Sequence, residues 1–197
     1  MKNMHKLQPM LAGCLLAALP ALLPADDASS EASVLTGQAK ASVAAFASTL
    51  KNELSAAMQA GGPVQAIEVC NTKAPAIARE ITLQQGMNVA RVSQRNRNPG
   101  NAPNDWQAEV LADFQAQLAA GADPATLAWQ DIAATDAGRE FRFMKAIPTQ
   151  PMCLACHGET LAPPVAARLA ELYPDDKATG FREGDLRGAF VVTKSLQ

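Results

Sequence analysis

Cys153-Leu154-Ala155-Cys156-His157 constrains this chain more than any other stretch. CxxCH is the attachment signal of a covalent c-type haem, so a chain carrying it is expected to give part of its core volume to a large cofactor. The spacing has a chemical reason. Two thiols three positions apart can each add across a haem vinyl group to form thioether bonds. The next side chain is then held under the iron, where a neutral imidazole nitrogen can ligate. Cys-x-x-Cys alone also serves redox dithiols and zinc knuckles. The adjoining His, together with a leader-like N-terminus, favours haem.

Met1 to Pro9 carries Lys2 and Lys6 and no acid, and an apolar run from Met10 to Leu23 follows. Pro24-Ala25 then gives way to Asp26-Asp27. This is the pattern of a signal peptide over residues 1–25, with an apolar run too short to span a bilayer as a retained anchor. Leu11-Ala12-Gly13-Cys14 resembles a lipoprotein processing box, but Cys14 stands near the start of the apolar run rather than at its end. The expectation is a soluble, exported, periplasmic product, with lipidation at Cys14 as the lesser alternative. Residues 26–197 then suit one domain. The net charge of −2 and the lack of a long basic run argue against nucleic acid or anionic membrane as partners. Abundant Ala and an aromatic content of 5% suggest helices.

A census of ligand-capable residues narrows the chemistry. Without the leader, His157 is the one histidine and Cys70 the one cysteine outside the motif. Bis-histidine ligation within one chain is therefore excluded. The sixth position falls to Met, to Cys70, to a weaker donor, to water or to nothing, and His/Met is the ordinary expectation for a c-type cytochrome. The methionines in reach of the argument are Met58, Met87, Met144 and Met152, of which Met152 adjoins the motif and is badly placed for the opposite haem face. Zinc would need Cys70, Cys153, Cys156 and His157 together, which explains the contiguity of the motif less well.

The spacing Ile67, Cys70, Ala74, Ile77, Ile81 predicts one apolar helix face over residues 63–85, opened by Pro63, stopped at Gly86 and kinked or divided by Pro75. Cys70 should point inward, either as a small buried hydrophobe or as a ligand. A leftover thiol in an oxidising compartment is unusual. Residues 33–60 read as a long helix and 91–103 as a loop dense in Asn, Pro and Gly. A helix should start at Asn104, capped with Gln107, and end at Gly121. Strands are expected over 126–132, 139–147 and 188–194, with a turn at 135–138 and a short helix over 164–172. In the middle strand Phe141, Phe143, Lys145 and Ile147 share one face, and Arg142, Met144 and Ala146 the other. Helices first and an antiparallel sheet after gives α+β, with N-terminal helices packed on the sheet. The attachment motif sits neither near the N-terminus, as in ordinary monohaem cytochrome c, nor close to the chain end, as in the four-helix cytochrome c′ type.

Four stretches carry a family resemblance. They are Ile67-Glu68-Val69-Cys70-Asn71; Arg91-Val92-Ser93 through Arg97-Asn98-Pro99-Gly100-Asn101-Ala102-Pro103; Cys153 to Gly158; and Tyr173 through Gly188. In this order they resemble the periplasmic c-type haem proteins with a PAS-like sensor fold and a His/Cys-ligated haem. Phe181 departs from the Tyr of many members. The resemblance implies one covalent haem c per chain, thioethers at Cys153 and Cys156, His157 as proximal ligand and Cys70 as the other axial ligand. A thiolate donor stabilises ferric iron, and the potential should then lie below zero by on the order of a hundred millivolts or more.

Arg91, Arg95 and Arg97 suit haem propionates, Arg91 and Arg97 being the ones singled out, or else cover apolar surface beside a solvated loop. Asp175, Asp176 and Asp185 read as turn caps rather than metal ligands. Tyr173 and Trp106 read as core or pocket wall. The functional expectation is a redox or small-gas sensor module that signals through a partner, with a soluble periplasmic electron carrier and its redox partner as the alternative. An enzyme is not expected, because residues 26–197 hold no second histidine to act as a distal acid or base.

Overall fold

The structure is a computed structural model, and it describes residues 25–197. The leader expected over residues 1–25, with Cys14, falls outside the described residues apart from Ala25. Helix α1, Ala25–Glu68, breaks its own dihedrals at Gly61 and Gly62, and Gly62 has a φ of 69° that favours glycine. The predicted helix of residues 33–60 therefore joins its successor across a kink, and Pro63 opens the second limb. Pro75 acts as expected. It has no amide hydrogen and its ring presses on the preceding turn, and the chain responds with a π-turn, Val69–Lys73, before α2, Ala74–Gln85. The Ala74 amide, which a continuous α-helix would return to the Cys70 carbonyl, bonds to Val69 O instead. Gly86 closes α2 in the left-handed region, φ 65°.

Strand β1, Asn88–Val92, follows. This corrects the expectation of a loop from Arg91. Arg91 and Val92 are strand residues because Val89 and Val92 find apolar partners and the backbone pairs with the last strand. Helix α3, Asp105–Ala119, starts with the capping box predicted for Asn104 and Gln107. β2, Ala128–Thr135, and β3, Gly138–Pro148, form a hairpin. The short α4, Leu154–His157, and α5, Pro163–Leu172, precede β4, Leu186–Leu196. β2 begins and ends later than expected, and β4 extends beyond the expected 188–194 at both ends. Hydrogen-bonding partners, rather than side-chain alternation, decide where a strand stops.

The four strands are antiparallel in the order β1-β4-β3-β2. The fold is α+β, and both faces of the sheet are buried. Phe141, Phe143, Val89 and Val192 meet α1 and α2 on one face. Met144, Ala146, Ala189 and Val191 meet α3 on the other. The two-faced pattern predicted for β3 thus serves two cores. A third, smaller cluster joins Ile67 of α1 to Val165, Leu169 and Tyr173 at α5, with Cys156 packed against it. This cluster positions the site. Among the described residues no helix is long and apolar enough to cross a membrane.

Candidate functional site

The CxxCH stretch is a single turn of helix, with Cys153 as the cap of α4 and His157 as its last residue. Cys153 and Cys156 are i and i+3 and so lie on one face of that turn. Two backbone hydrogen bonds from one strip of chain hold it in place. Gly180 N donates to Gly158 O at 2.8 Å and Phe181 N to His157 O at 2.9 Å. A Cβ at Gly158 would lie 2.6 Å from Leu154 O, so glycine is required where the turn folds back.

Arg97 is the keystone of this arrangement. Only 7% exposed, it donates Nε to Asp176 Oδ2 at 3.0 Å and Nη2 to the carbonyls of Cys156 at 2.6 Å and Ala178 at 3.3 Å. Asp176 is a turn cap as expected, accepting the Ala178 amide at 2.7 Å on Oδ1, and it is an ion-pair partner as well. Asp185 caps likewise, accepting the Arg182 amide at 2.8 Å.

His157 Nδ1 lies 2.6 Å from Ala178 O. A carbonyl can only accept, so Nδ1 carries the hydrogen and Nε2 keeps its lone pair. Burial first, then the positive fields of Arg187 and Arg97, push the imidazole down to about 2, with the bond to Ala178 opposing them. The ring is neutral at physiological pH, as a metal ligand must be, and its far nitrogen is oriented by the near one.

Three guanidinium groups act on this imidazole: Arg187, Arg97 and Arg91. Arg97 is paired. Among the described residues Arg91 and Arg187 form no ion pair, although burial pushes both below the usual guanidinium range, Arg187 to about 10. Arg187 is pushed further down by Arg97 and Arg91, whereas Cys70 and Tyr173 raise Arg91. Arg187 Nη1 has only long contacts, 3.4 Å to Ser93 Oγ and 3.5 Å to Arg95 O, and feels the Asp176 carboxylate without pairing with it; partly buried cations without an ion-pair partner are costly. Arg95 is exposed and stacks over Phe181, 3.9 Å from its centroid, and Arg187 lies 5.0 Å from the same ring. The Phe181 ring meets His157 edge-on at 6.3 Å.

Cys70 is half-buried on the π-turn. Its charge acts on Arg91, Cys156 and Tyr173, which places it in the same electrostatic neighbourhood as the motif. Burial pushes the Cys156 thiol up, aided by Cys70 and Cys153 and opposed by Arg97. Among the described residues no three His, Cys, Asp or Glu side chains converge as a metal-binding group, so the four-ligand zinc arrangement is not assembled. Met87 and Met144 are core residues on opposite faces of the sheet, and Met152 is 40% exposed beside the motif.

The tertiary structure places Arg97, Asp176 and Ala178 around Cys156 and His157, with Arg91 and Arg187 acting on the imidazole and Cys70 acting on Arg91 and Cys156 through their charges. Arg187 lay within one of the quoted stretches without any local mark of its role. Trp106, expected as core or pocket wall, stacks on Trp129 at 5.7 Å, on the α3 side of the sheet.

A family model described as Tll0287-like: Tll0287 matches residues 23–195. Among solved structures, the crystal structure of the cyanobacterial haem protein Tll0287 is similar to this chain, with 30% identity and a TM-score of 0.50. The match covers 64% of this chain and 71% of that one. No curated protein is significantly similar.

Proposed function

The chain belongs to the Tll0287-like family, and on that premise we propose that it is an exported c-type haem protein with one covalent haem and His/Cys axial ligation, acting as a redox or small-gas sensor module. The observation that carries the reading is the His157 ring, which is neutral, tied at Nδ1 to Ala178 O and free at Nε2, in the same turn as two thiols. The residues fit the group. Cys153 and Cys156 offer the thioether sulfurs, and Arg91 and Arg187 are cations in want of an anion such as a propionate pair. Arg97, expected beside Arg91 in that role, has its fork committed to Asp176 and two carbonyls and serves to hold the motif in place. The sequence match to a relative described as a haem protein supports the same reading.

When bound, haem supplies a one-electron ferric/ferrous couple and axial positions. The chain does the rest. Ala178 and Arg97 fix His157 and the turn that bears it, and Arg91 and Arg187 favour any state of the site carrying extra negative charge. Cys70 Sγ would supply the other axial donor. As a thiolate it is an anionic donor that favours ferric iron, and as a thiol it is a poor one, so ligation and oxidation state are coupled. Its place on a π-turn supports a switching role, since such turns interrupt the regular helical hydrogen-bond ladder at functional sites. An antiparallel sheet with helices on both faces is in keeping with a PAS-like arrangement. No enzymatic role is proposed.

The alternative, a soluble periplasmic electron carrier, draws support from Met152, an exposed apolar side chain at the rim of the motif where a redox partner could dock. The test is expression in a host competent for haem c maturation, followed by periplasmic fractionation and haem staining after denaturation. Spectra of Cys70→Ala should then differ from the parent in both oxidation states. Colourless protein at apo mass refutes haem attachment. A parent spectrum with one unchanged six-coordinate species in both states refutes the switch and leaves the carrier.

A further inference from the structure

The two tryptophans of the chain stand together on the α3 side of the sheet. Trp106 and Trp129 stack at 5.7 Å with their planes 28° apart, and both line one solvent-open cavity of about 310 Å³. Trp106, Glu109 and Asp113 fall at i, i+3 and i+7 of α3 and so share one face of that helix. Trp129 and Asp131 alternate onto one face of β2, and Arg142 of β3 stands opposite Asp131 in register. All six residues line the cavity, and none of the residues around His157 does. Three carboxylates thus face one guanidinium. Glu109, Asp113 and Asp131 are exposed, and among the described residues none of them forms an ion pair. Asp113 accepts the Gln117 side-chain amide at 2.7 Å, and Arg142 gives its Nε to Glu140 at 2.7 Å. Like charges four apart on a helix repel, so Glu109 and Asp113 carry a cost that a bound cation would offset. The indole wall already seats one cation, because the Arg142 guanidinium lies 4.9 Å from the Trp106 ring centroid.

We propose that this cavity binds a small methylated ammonium ion of the size and class of choline. Its volume equals the share of about ten water molecules in the liquid, at the small-molecule end of ligand cavities. Two features of the lining choose the ligand. The excess of carboxylates over guanidinium selects a cation. The paired indoles select one that is weakly hydrated, since its methyl groups lie on ring faces while its charge meets their negative quadrupole. An ammonium with N–H groups is strongly hydrated, and exposed carboxylates alone repay that water poorly. A methylated ammonium gives up less and gains both the rings and the neutralised charge. Glu109 and Asp113 close on it from the helix and Asp131 from the sheet. The site is separate from the CxxCH turn, so this inference does not depend on haem.

The experiment titrates the purified protein with choline at constant ionic strength, read by calorimetry and by tryptophan emission. Emission locates the event, because Trp106 and Trp129 are the two tryptophans of the chain. Choline should give a saturable change within the millimolar range. 3,3-Dimethylbutanol, which has the same shape without the charge, should bind about tenfold more weakly. The triple variant Glu109→Gln, Asp113→Asn, Asp131→Asn changes exposed side chains and keeps the fold, and it should weaken choline by about fivefold or more. Trp106→Leu should weaken it by about tenfold, with Trp129 left as reporter and circular dichroism confirming the fold. A lack of saturation with choline overturns the proposal. Equal binding of the neutral isostere overturns it too, by reducing the cavity to an apolar groove. So does an unchanged affinity in the triple variant. Oligolysine binding more tightly than choline overturns it in favour of a basic protein partner.

Discussion

Replacing Arg97 by Ala removes the one side chain that ties three segments together. The guanidinium joins the 93–104 connection to Asp176, to Cys156 O and to Ala178 O, and Arg97 and Asp176 have side-chain exposures of 8% and 11%. Removing one partner of a buried pair costs about 3–5 kcal/mol, because the other charge is left without compensation. Asp176 retains the Ala178 amide on its second oxygen, which places the expected loss near about 3 kcal/mol. For a domain of this size each kcal/mol moves the melting temperature by about 2–4 °C, so Tm should fall by about 6–12 °C. Calorimetry with urea unfolding as a second measure reads this directly. Arg97→Lys should recover only part of the loss, since an ammonium cannot bridge a carboxylate and two carbonyls as a planar fork does. Ala178 O serves both Arg97 and His157 Nδ1, so the Ala variant should also loosen the imidazole, seen as broadened His157 ring resonances in haem-free protein. A Tm within about 2 °C of the parent would refute the assignment of Arg97 as the keystone.

In haem-free protein (Cys153→Ser with Cys156→Ser) His157 is held neutral in the fold, down to about 2, and returns to its ordinary value on unfolding. The unfolded state then binds the extra proton, so stability is present above about pH 6.5 and is lost as pH falls below it, with a slope of about 1.4 kcal/mol per pH unit. Urea midpoints against pH should show this slope, and His157→Asn should flatten it. Arg187→Gln should behave oppositely in the two forms. Without haem it relieves repulsion with Arg91 and Arg97, leaving urea stability unchanged or raised by up to about 1 kcal/mol. With haem it should lower the midpoint potential, because a cation that favours extra negative charge is gone. Gly188 has a φ of 148°, and a Cβ there would lie 2.3 Å from Val92 O, across the β1–β4 pair. Gly188→Ala should cost about 1–3 kcal/mol from backbone strain alone, more with the clash, read as a lower urea midpoint.

Much of this protein is written along the chain. The capping pair Asn104 and Gln107, the stop at Gly86, the disruption before Pro75 and the two-faced pattern of β3 are local codes, because each depends on neighbours within a turn or a strand. The CxxCH motif is local for the same reason, since it sets two thiols and an imidazole on one short turn. What the folded chain alone decided is who stands beside that turn. Arg91 left the expected loop for a strand because its backbone pairs with β4, about a hundred residues away. Arg97 became a fastener and Arg187 an unpaired cation through contacts that no spacing encodes. Charge and burial act through space, and a sequence orders residues only by number. The fate of an arginine is therefore settled when the chain closes and fixes which carboxylate reaches it and which water does not.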